Sequence, residues 1–185
     1  MSNPVGFNES YPDRTVNSIY YDDIDFSAYN DNLLGISNRV KYRVRWYGPS
    51  LTRIANPILE KKIKINQLGT KEFLKLDDFD LEEGLPDINT IKHTRPLLPY
   101  LIVRYDRTYM ESADGLIRAT VDRHLQYINL INNSLSDQIY DDDHFILEIK
   151  YDKGHEDIAS LCLQSVPFRL TKNSKYVSGM LHYLA

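Results

Sequence analysis

The sequence predicts an α+β fold in which an antiparallel β-barrel or tunnel of at least six strands is followed by two C-terminal helices. Strands are indicated by short stretches of alternating polar and apolar residues and by the 14 tyrosines among 185 residues, since aromatic and β-branched residues favour strands. Helices are indicated after Gly154, where apolar residues recur at a period near 3.6. Charged residues at alternate positions on four or five strands indicate faces that converge inside a barrel.

Length and composition fit one domain over residues 1–185, with a hydrophobic fraction of 42%. The formal net charge of −4 argues against a nucleic-acid partner, which usually meets a widely positive field. Cys162 is the only cysteine, so no intrachain disulfide can form. Neither a signal peptide nor an apolar run of about 20 residues is present. We therefore expect a cytoplasmic protein without a membrane segment of its own.

The N-terminal part is predicted to be mostly irregular. Residues 1–15 carry Asn, Pro, Gly and Ser with little periodicity, and residues 1–10 are expected to form an irregular lead-in. The first strand is predicted at Val16–Tyr21. Residues 22–34 then form a polar loop or a helical turn that ends at Gly35.

The stretch Arg39–Tyr47 has cations at every odd position from 39 to 45 and β-branched or aromatic residues at every even one. This alternation predicts a strand with an apolar face and a row of four cations, Arg39, Lys41, Arg43 and Arg45. Neighbouring cations in such a row lie about 7 Å apart. They repel by about 0.6 kcal/mol in water and by about 2.4 kcal/mol at an effective dielectric constant near 20. The strand alone fits either a solvated outer face or an enclosed row that needs an anion.

The remaining strands follow the same rule of alternation. They are predicted at Ile58–Ile65, Lys71–Leu76, Leu101–Tyr109, Leu116–Asp122 and His144–Tyr151. Turns are predicted at residues 67–70 and 113–115. The stretch 123–136 fits either a continuation of the strand or a short helix.

Two helices are predicted at the C-terminal end. The first runs from about Glu156 to Ser165 and ends before Pro167. The second begins near Asn173, a favourable N-cap residue. Its inward residues are predicted to be Val177, Met180, Leu181 and Leu184.

Two features beyond the basic strand suggest chemistry. Glu148 stands between apolar neighbours and shares a face with Lys150, so it either pairs with a cation or binds a hard divalent cation. Glu60 is a second, weaker candidate of the same type. Lys172 and Lys175 flank the start of the last helix, where the dipole disfavours cations by about 0.3–1 kcal/mol. They are either solvated surface lysines or part of an anion site.

Seven stretches, in order along the chain, resemble the VTC (vacuolar transporter chaperone) polyphosphate-polymerase domain, a branch of the CYTH or triphosphate-tunnel metalloenzyme superfamily. The resemblance runs from about Tyr11 to Leu184. The stretches that carry it are Arg14–Asp22, Arg39–Gly48, Leu59–Lys62, Tyr105–Thr108, Arg118–Asp122, Leu147–Lys150 and Lys172–Tyr176. Each is weak alone, but seven in the family's order are specific.

The resemblance implies a triphosphate tunnel fold whose basic lining binds ATP, triphosphate or polyphosphate, and a metal-dependent phosphotransferase that makes polyphosphate from ATP. It implies Mn²⁺ or Mg²⁺ as cofactor, with Glu148 as metal ligand. The phosphate ligands that it implies are Arg43, Arg45, Lys62, Arg107, Lys172 and Lys175, the first four of them also catalytic. A tripolyphosphatase or nucleoside triphosphatase of the same fold, and a non-catalytic polyphosphate-binding module, are the alternatives.

Family members open with a further strand that carries a Glu-rich motif and normally closes the tunnel. Only ten residues precede Tyr11 here. We therefore expect an incomplete tunnel, which a protein partner or an additional N-terminal segment would complete.

Overall fold

The computed structural model describes residues 5–66, 68–89, 95–131 and 135–184. Within these ranges the chain forms ten strands and three helices. In chain order they are β1 (Phe7–Asp22), α1 (Ser27–Leu33), β2 (Arg39–Tyr47), β3 (Arg53–Ile54), β4 (Ile58–Ile65), β5 (Leu68–Lys75), β6 (Phe79–Asp80), β7 (Leu98–Ser112), β8 (Ile117–Asn129), β9 (Gln138–Asp141), β10 (Ile146–Tyr151), α2 (Glu156–Gln164) and α3 (Lys175–Leu184).

Eight strands form one mostly antiparallel sheet in the order β10–β8–β7–β1–β2–β4–β5, with β9 paired to β8. Strands β3 and β6 form a separate two-stranded sheet. The predicted antiparallel sheet with helices is confirmed. Among the described residues the pairing has two ends, at β10 and β5, so the predicted barrel or tunnel is observed there only as a sheet that does not close.

The chain divides into two compact units. The first unit comprises Met1–Thr15, Tyr105–Leu125 and Asp141–Asn173, and the second comprises Val16–Arg104, Gln126–Tyr140 and Ser174–Ala185. The single domain predicted for residues 1–185 stays a prediction.

The core of the second unit lies on one face of strands β1, β2 and β4. The antiparallel register places Ile19 opposite Val44 and Val44 opposite Leu59, and these three side chains are at most 2% exposed. Trp46 is also buried, and its indole Nε1 donates a hydrogen bond to the Ser50 carbonyl oxygen at 2.9 Å. The apolar half of the β2 alternation therefore packs inward as predicted.

Helix α3 packs on the second unit through Tyr176, Val177, Gly179 and Met180, all buried. A Cβ atom at Gly179 would lie 2.5 Å from Leu101 Cδ2 and 2.6 Å from Tyr127 Cδ1, so glycine allows the helix to approach these side chains. The predicted inward positions of Val177 and Met180 are confirmed. Those of Leu181 and Leu184 are wrong, because these residues are 46% and 42% exposed.

The first unit has a smaller core beneath helix α2. Ala159 and Cys162 on α2 are buried together with Ile117 of β8. Cys162, the only cysteine of the sequence, is buried in this core. Helix α2 itself begins at the predicted Glu156 and ends at Gln164, one residue short of the prediction.

Strands β2 and β4 have the predicted bounds, but other predicted boundaries differ from the observed ones. The irregular lead-in predicted for residues 1–10 is wrong from Phe7 onward, because β1 begins there. In the first unit Tyr11 packs edge-on against Tyr109 of β7, with ring centroids 5.9 Å apart. Contacts between residues far apart in sequence thus override a local composition that favours an irregular segment.

Strand β8 continues to Asn129, so residues 123–129 form a strand and not a helix. The rest of the ambiguous stretch includes residues 132–134, which lie outside the described residues, as does Gln67 of the predicted turn. In the part of the chain that the structure describes, no helix is long and apolar enough to cross a membrane.

Replacing Gly179 with Ala tests the close packing of α3. Although alanine favours helices, its methyl group would overlap Leu101 and Tyr127, and we expect a loss of about 1–3 kcal/mol in the free energy of unfolding. Chemical denaturation measures the loss. Gly69→Ala is the matched control, because a Cβ there meets only the Ile63 carbonyl oxygen at 3.9 Å. Equal stability of the two variants would contradict the packing described for Gly179.

Candidate functional site

The second face of β2 and β4 in the second unit carries the charged half of the alternation. Residues directly opposite each other across the two strands share a face, and the register pairs Lys41 with Lys62 and Arg43 with Glu60. Arg45 follows two positions along the same side of β2. We call the surface formed by Lys41, Arg43, Arg45, Glu60 and Lys62 the basic face.

A buried carboxylate lies between two guanidinium groups on the basic face. Arg43 donates from Nε to Glu60 Oε2 at 2.6 Å and also from Nη2 to the same oxygen. The Nη1 atom of Arg45 lies 3.4 Å from the other oxygen, Oε1. Arg45 is 8% and Glu60 6% exposed. The row of cations on β2 is therefore enclosed near Arg45, and Glu60 is the anion that compensates the charges there.

The electrostatic balance keeps Glu60 ionised. Burial raises the pKa of the Glu60 carboxyl, but the charges of Arg43 and Arg45 outweigh burial and hold the pKa below its ordinary value. One negative and two positive charges leave a net charge of +1 on the trio. This surplus makes the basic face attractive to an additional anion.

Tyr20 connects the basic face to helix α3 within the second unit. Its hydroxyl accepts a hydrogen bond from Arg43 Nη1 at 3.2 Å, and its ring stacks on that of Tyr176 with centroids 5.2 Å apart. Burial raises the pKa of Tyr20, but Arg43 and Arg45 together lower it below the ordinary value, and Lys175 adds to the lowering. Lys175 thus acts electrostatically on the same group as the two arginines.

Lys41 joins the basic face to both neighbouring helices. Its Nζ donates to Asn32 Oδ1 at 2.9 Å and to Ser174 Oγ at 2.8 Å. The pKa of Lys41 is lowered to about 8, mainly by burial; Tyr20 opposes the shift, and Arg39 and Lys62 contribute to it. Lys41 is therefore cationic at neutral pH, although its surroundings favour the neutral amine more than water does.

The first unit contains a second arginine held by a carboxylate. Arg107 donates from Nε and Nη2 to the two oxygens of Asp122 at 2.6 and 2.8 Å. Its guanidinium also lies 5.2 Å from the ring centre of Tyr105 and 5.9 Å from that of Tyr109. Burial lowers the pKa of Arg107, but its hydrogen bonds to Asp122, together with nearby negative charge, outweigh burial and raise the pKa. This pair is electrically balanced, one charge against one.

Glu148 lies on β10 in the first unit, opposite Thr120 of β8. Its carboxylate is 48% exposed and Oε1 lies 3.3 Å from Lys150 Nζ. Among the described residues, no group of three or more His, Cys, Asp or Glu side chains could hold a metal ion. Mg²⁺ in proteins is often bound by one or two carboxylates together with substrate phosphates. The role of Glu148 as a metal ligand stays a prediction.

The predicted site residues are distributed over both units. The second unit contains Arg43, Arg45, Lys62 and Lys175, and the first contains Arg107, Glu148 and Lys172. The structure brings Arg43 and Arg45 together on Glu60. Lys62 lies on the same face, whereas Lys172 is exposed three residues before α3. Glu60, considered above as a second metal candidate, instead directs both oxygens at guanidinium groups.

Sequence reasoning missed Tyr20, Ser174 and Asp122 as parts of these arrangements. Asp122 had only an approximate signal. Arg107 lies six residues before the predicted turn at residues 113–115 and Asp122 seven residues after it, and positions at equal distances from a turn face each other across a hairpin. Tyr20 and Ser174 had no comparable signal, since their contacts depend on where α3 packs.

A family model described as the VTC domain matches residues 3–184, essentially the whole chain. All seven stretches that carry the resemblance lie within that range. The family predicted from them is therefore confirmed.

Asp122→Asn tests the buried pair of the first unit. The change leaves Arg107, whose side chain is 12% exposed, beside a neutral amide, and removing one partner of a buried pair leaves an uncompensated charge. We expect a loss of roughly 3 kcal/mol in the free energy of unfolding. The control is Asp152→Asn, which removes the carboxylate of an exposed pair with Arg118 at 3.4 Å. A similar loss in both variants would contradict the role given to Asp122.

Lys41→Met tests the environment of the Lys41 amine. Its pKa is about 8 in the folded chain and 10.5 ordinarily, so between these values the unfolded chain binds a proton that the folded chain does not. The contribution of Lys41 therefore makes the folded state more stable as pH rises through this window. We expect the free energy of unfolding of the wild type, minus that of Lys41→Met, to increase between pH 8 and pH 10.5. Urea denaturation of both proteins across this pH range measures the difference. Parallel curves would show that burial does not shift the amine.

Proposed function

The chain belongs to the VTC domain family, which implies a polyphosphate polymerase-related module, and from that premise we propose that it binds the phosphate groups of ATP, triphosphate or polyphosphate. The observation that carries the proposal is the enclosed basic face of the second unit. Arg43 and Arg45 are held close together with a surplus of positive charge. A linear polyanion compensates such a surplus along its length.

Arginine suits this binding role for a geometric reason. The guanidinium group is planar and offers donors in a fixed arrangement that matches the oxygens of phosphate. In an enclosed site these contacts are stronger than in water, because the effective dielectric constant is lower. Lys41, Lys62 and Lys175 add point charges, which tolerate phosphates in several orientations.

We propose that the reaction is phosphoryl transfer, with ATP as the donor. The protein's part in such a reaction is mainly to position the phosphates and to stabilise the charge that develops on their oxygens. The proposed phosphate ligands are Arg43, Arg45, Lys62, Arg107, Lys172 and Lys175. Glu148 would hold Mn²⁺ or Mg²⁺, which neutralises phosphate charge when bound.

Incubation of the purified protein with ATP and Mn²⁺ tests this reaction and separates it from the two alternatives. Polyphosphate that lengthens with time supports the polymerase. Release of inorganic phosphate without chain growth, from ATP or tripolyphosphate, indicates a hydrolase of the same family. Tripolyphosphate binding that survives Glu148→Gln, with no turnover of either compound, indicates a binding module.

The double variant Arg43→Ala with Arg45→Ala tests the basic face itself. It removes two charge-assisted contacts of about 1.5–3 kcal/mol each, so we expect tripolyphosphate affinity to fall by at least about a hundredfold. Isothermal titration calorimetry measures the affinity. Affinity equal to that of the wild type would exclude the basic face as the binding site.

Two controls accompany the double variant. Lys61→Ala with Arg53→Ala removes the same charge from the second unit, away from the basic face, and we expect nearly unchanged affinity. Arg43→Lys with Arg45→Lys keeps Glu60 paired with cations but removes the planar groups, and we expect an intermediate affinity. Thermal unfolding of each variant verifies that binding is measured on folded protein.

A further inference from the structure

We propose that Glu60 is a positioning residue, whose buried carboxylate holds Arg43 and Arg45 side by side in the orientation that receives a phosphate chain. The inference rests on the proposed function, because it assigns a role within the same basic face. Glu60 does not contact the phosphate in this proposal. It acts through the two guanidinium groups.

The contacts around the trio restrict the orientation of both arginines. Glu60 accepts from Nε and Nη2 of Arg43, and Tyr20 accepts from Nη1 of the same group. Arg45 is held by Glu60 through Nη1 and by Ser18, whose Oγ lies 3.3 Å from Nε. Since a guanidinium group is rigid and planar, fixing one edge fixes the direction of all its donors.

Repulsion explains why the carboxylate is needed. Two cations at alternate strand positions, about 7 Å apart, repel by about 2.4 kcal/mol at an effective dielectric constant near 20. Without an anion between them, two long side chains would turn away from each other toward water. Ordering each of them again on binding costs about 0.5–1.5 kcal/mol. With Glu60 in place, folding has already ordered them.

A purely electrostatic interpretation of Glu60 predicts the opposite change in phosphate affinity when the carboxylate is removed. In that interpretation the carboxylate only weakens the attraction for anions, since it reduces the charge of the trio from +2 to +1. Removing its charge would then strengthen phosphate binding. The two interpretations are distinguished by the direction of one measured change.

The deciding experiment compares tripolyphosphate affinity of the wild type, Glu60→Gln and Glu72→Gln by titration calorimetry. Glu72 is the matched control, because its side chain is 61% exposed and pairs with Lys61, which lies on the other face of β4, across the β4–β5 pairing. Each change raises the net charge of the chain by one. We expect Glu60→Gln to bind about tenfold more weakly than the wild type, since two side chains must be ordered again. Glu72→Gln should bind as tightly as the wild type or slightly more tightly.

Glu60→Asp provides a second variant in case the glutamine variant does not fold. It keeps the charge but shortens the side chain by one methylene group, so it reaches the two guanidinium groups less well. We expect an affinity between those of the wild type and Glu60→Gln. NMR of the arginine Nε–H groups adds a readout independent of stability: hydrogen exchange at Arg43 should accelerate in both variants while the fold is retained.

The outcomes separate this inference from the proposed function. If the wild type binds tripolyphosphate and either Glu60 variant binds as tightly as Glu72→Gln, the positioning role is excluded and the basic face stands. If the wild type does not bind tripolyphosphate, the proposed function fails and the role of Glu60 fails with it. Weaker binding by folded Glu60 variants, with unchanged binding by Glu72→Gln, supports the positioning role.

Discussion

Two guanidinium groups on one side of a strand can be enclosed only if an anion lies between them. In the second unit that anion is Glu60, which the antiparallel register of β2 and β4 places opposite Arg43. A shift of the pairing by one residue would move Glu60 to the apolar face and Leu59 to the charged one. The register that packs Val44 on Leu59 therefore also neutralises the arginines. Core packing and charge compensation depend on the same pairing.

A second buried carboxylate fixes the positions of two helices beside the basic face. Asp22, 2% exposed at the end of β1, accepts hydrogen bonds from the backbone N–H groups of Ala28 and Tyr29 and from the Tyr176 hydroxyl. It thus attaches both α1 and α3 to the same strand end. Burial raises the pKa of Asp22, and these hydrogen bonds oppose the increase. Because α3 is fixed there, Ser174 reaches Lys41 and Lys175 acts on Tyr20.

The parts of the fold that the sequence predicts well are those determined by local pattern. Alternation in Arg39–Tyr47 and Ile58–Ile65 indicates both the bounds of β2 and β4 and their apolar and charged faces. The inward face of α3 could not be obtained in the same way. Periodicity selects Leu181 and Leu184, yet the packed face is defined by Gly179, which allows Leu101 and Tyr127 to approach. A glycine carries no hydropathy signal for this role.

The candidate site was predictable to a similar extent. The row of cations on β2 is visible in the sequence, but its enclosure is not, because burial of Arg45 depends on contacts with Ser18 and Glu60. Likewise, Phe7–Thr15 lacks the alternation of a strand and gains strand structure through pairing with a distant segment, β7, in the first unit. Contacts between distant segments decided the outcome in both cases.

The ratio of cations to carboxylates distinguishes the two arginine arrangements. In the first unit one carboxylate faces one guanidinium, and the bidentate Arg107–Asp122 pair compensates its own charge. In the second unit one carboxylate serves two guanidinium groups, so order is obtained without full neutralisation. A site for a polyanion benefits from both properties, since unordered cations lose affinity to side-chain entropy and a compensated pair adds less net attraction than a trio with surplus charge. Sharing Glu60 between Arg43 and Arg45 provides both properties with a single buried acid.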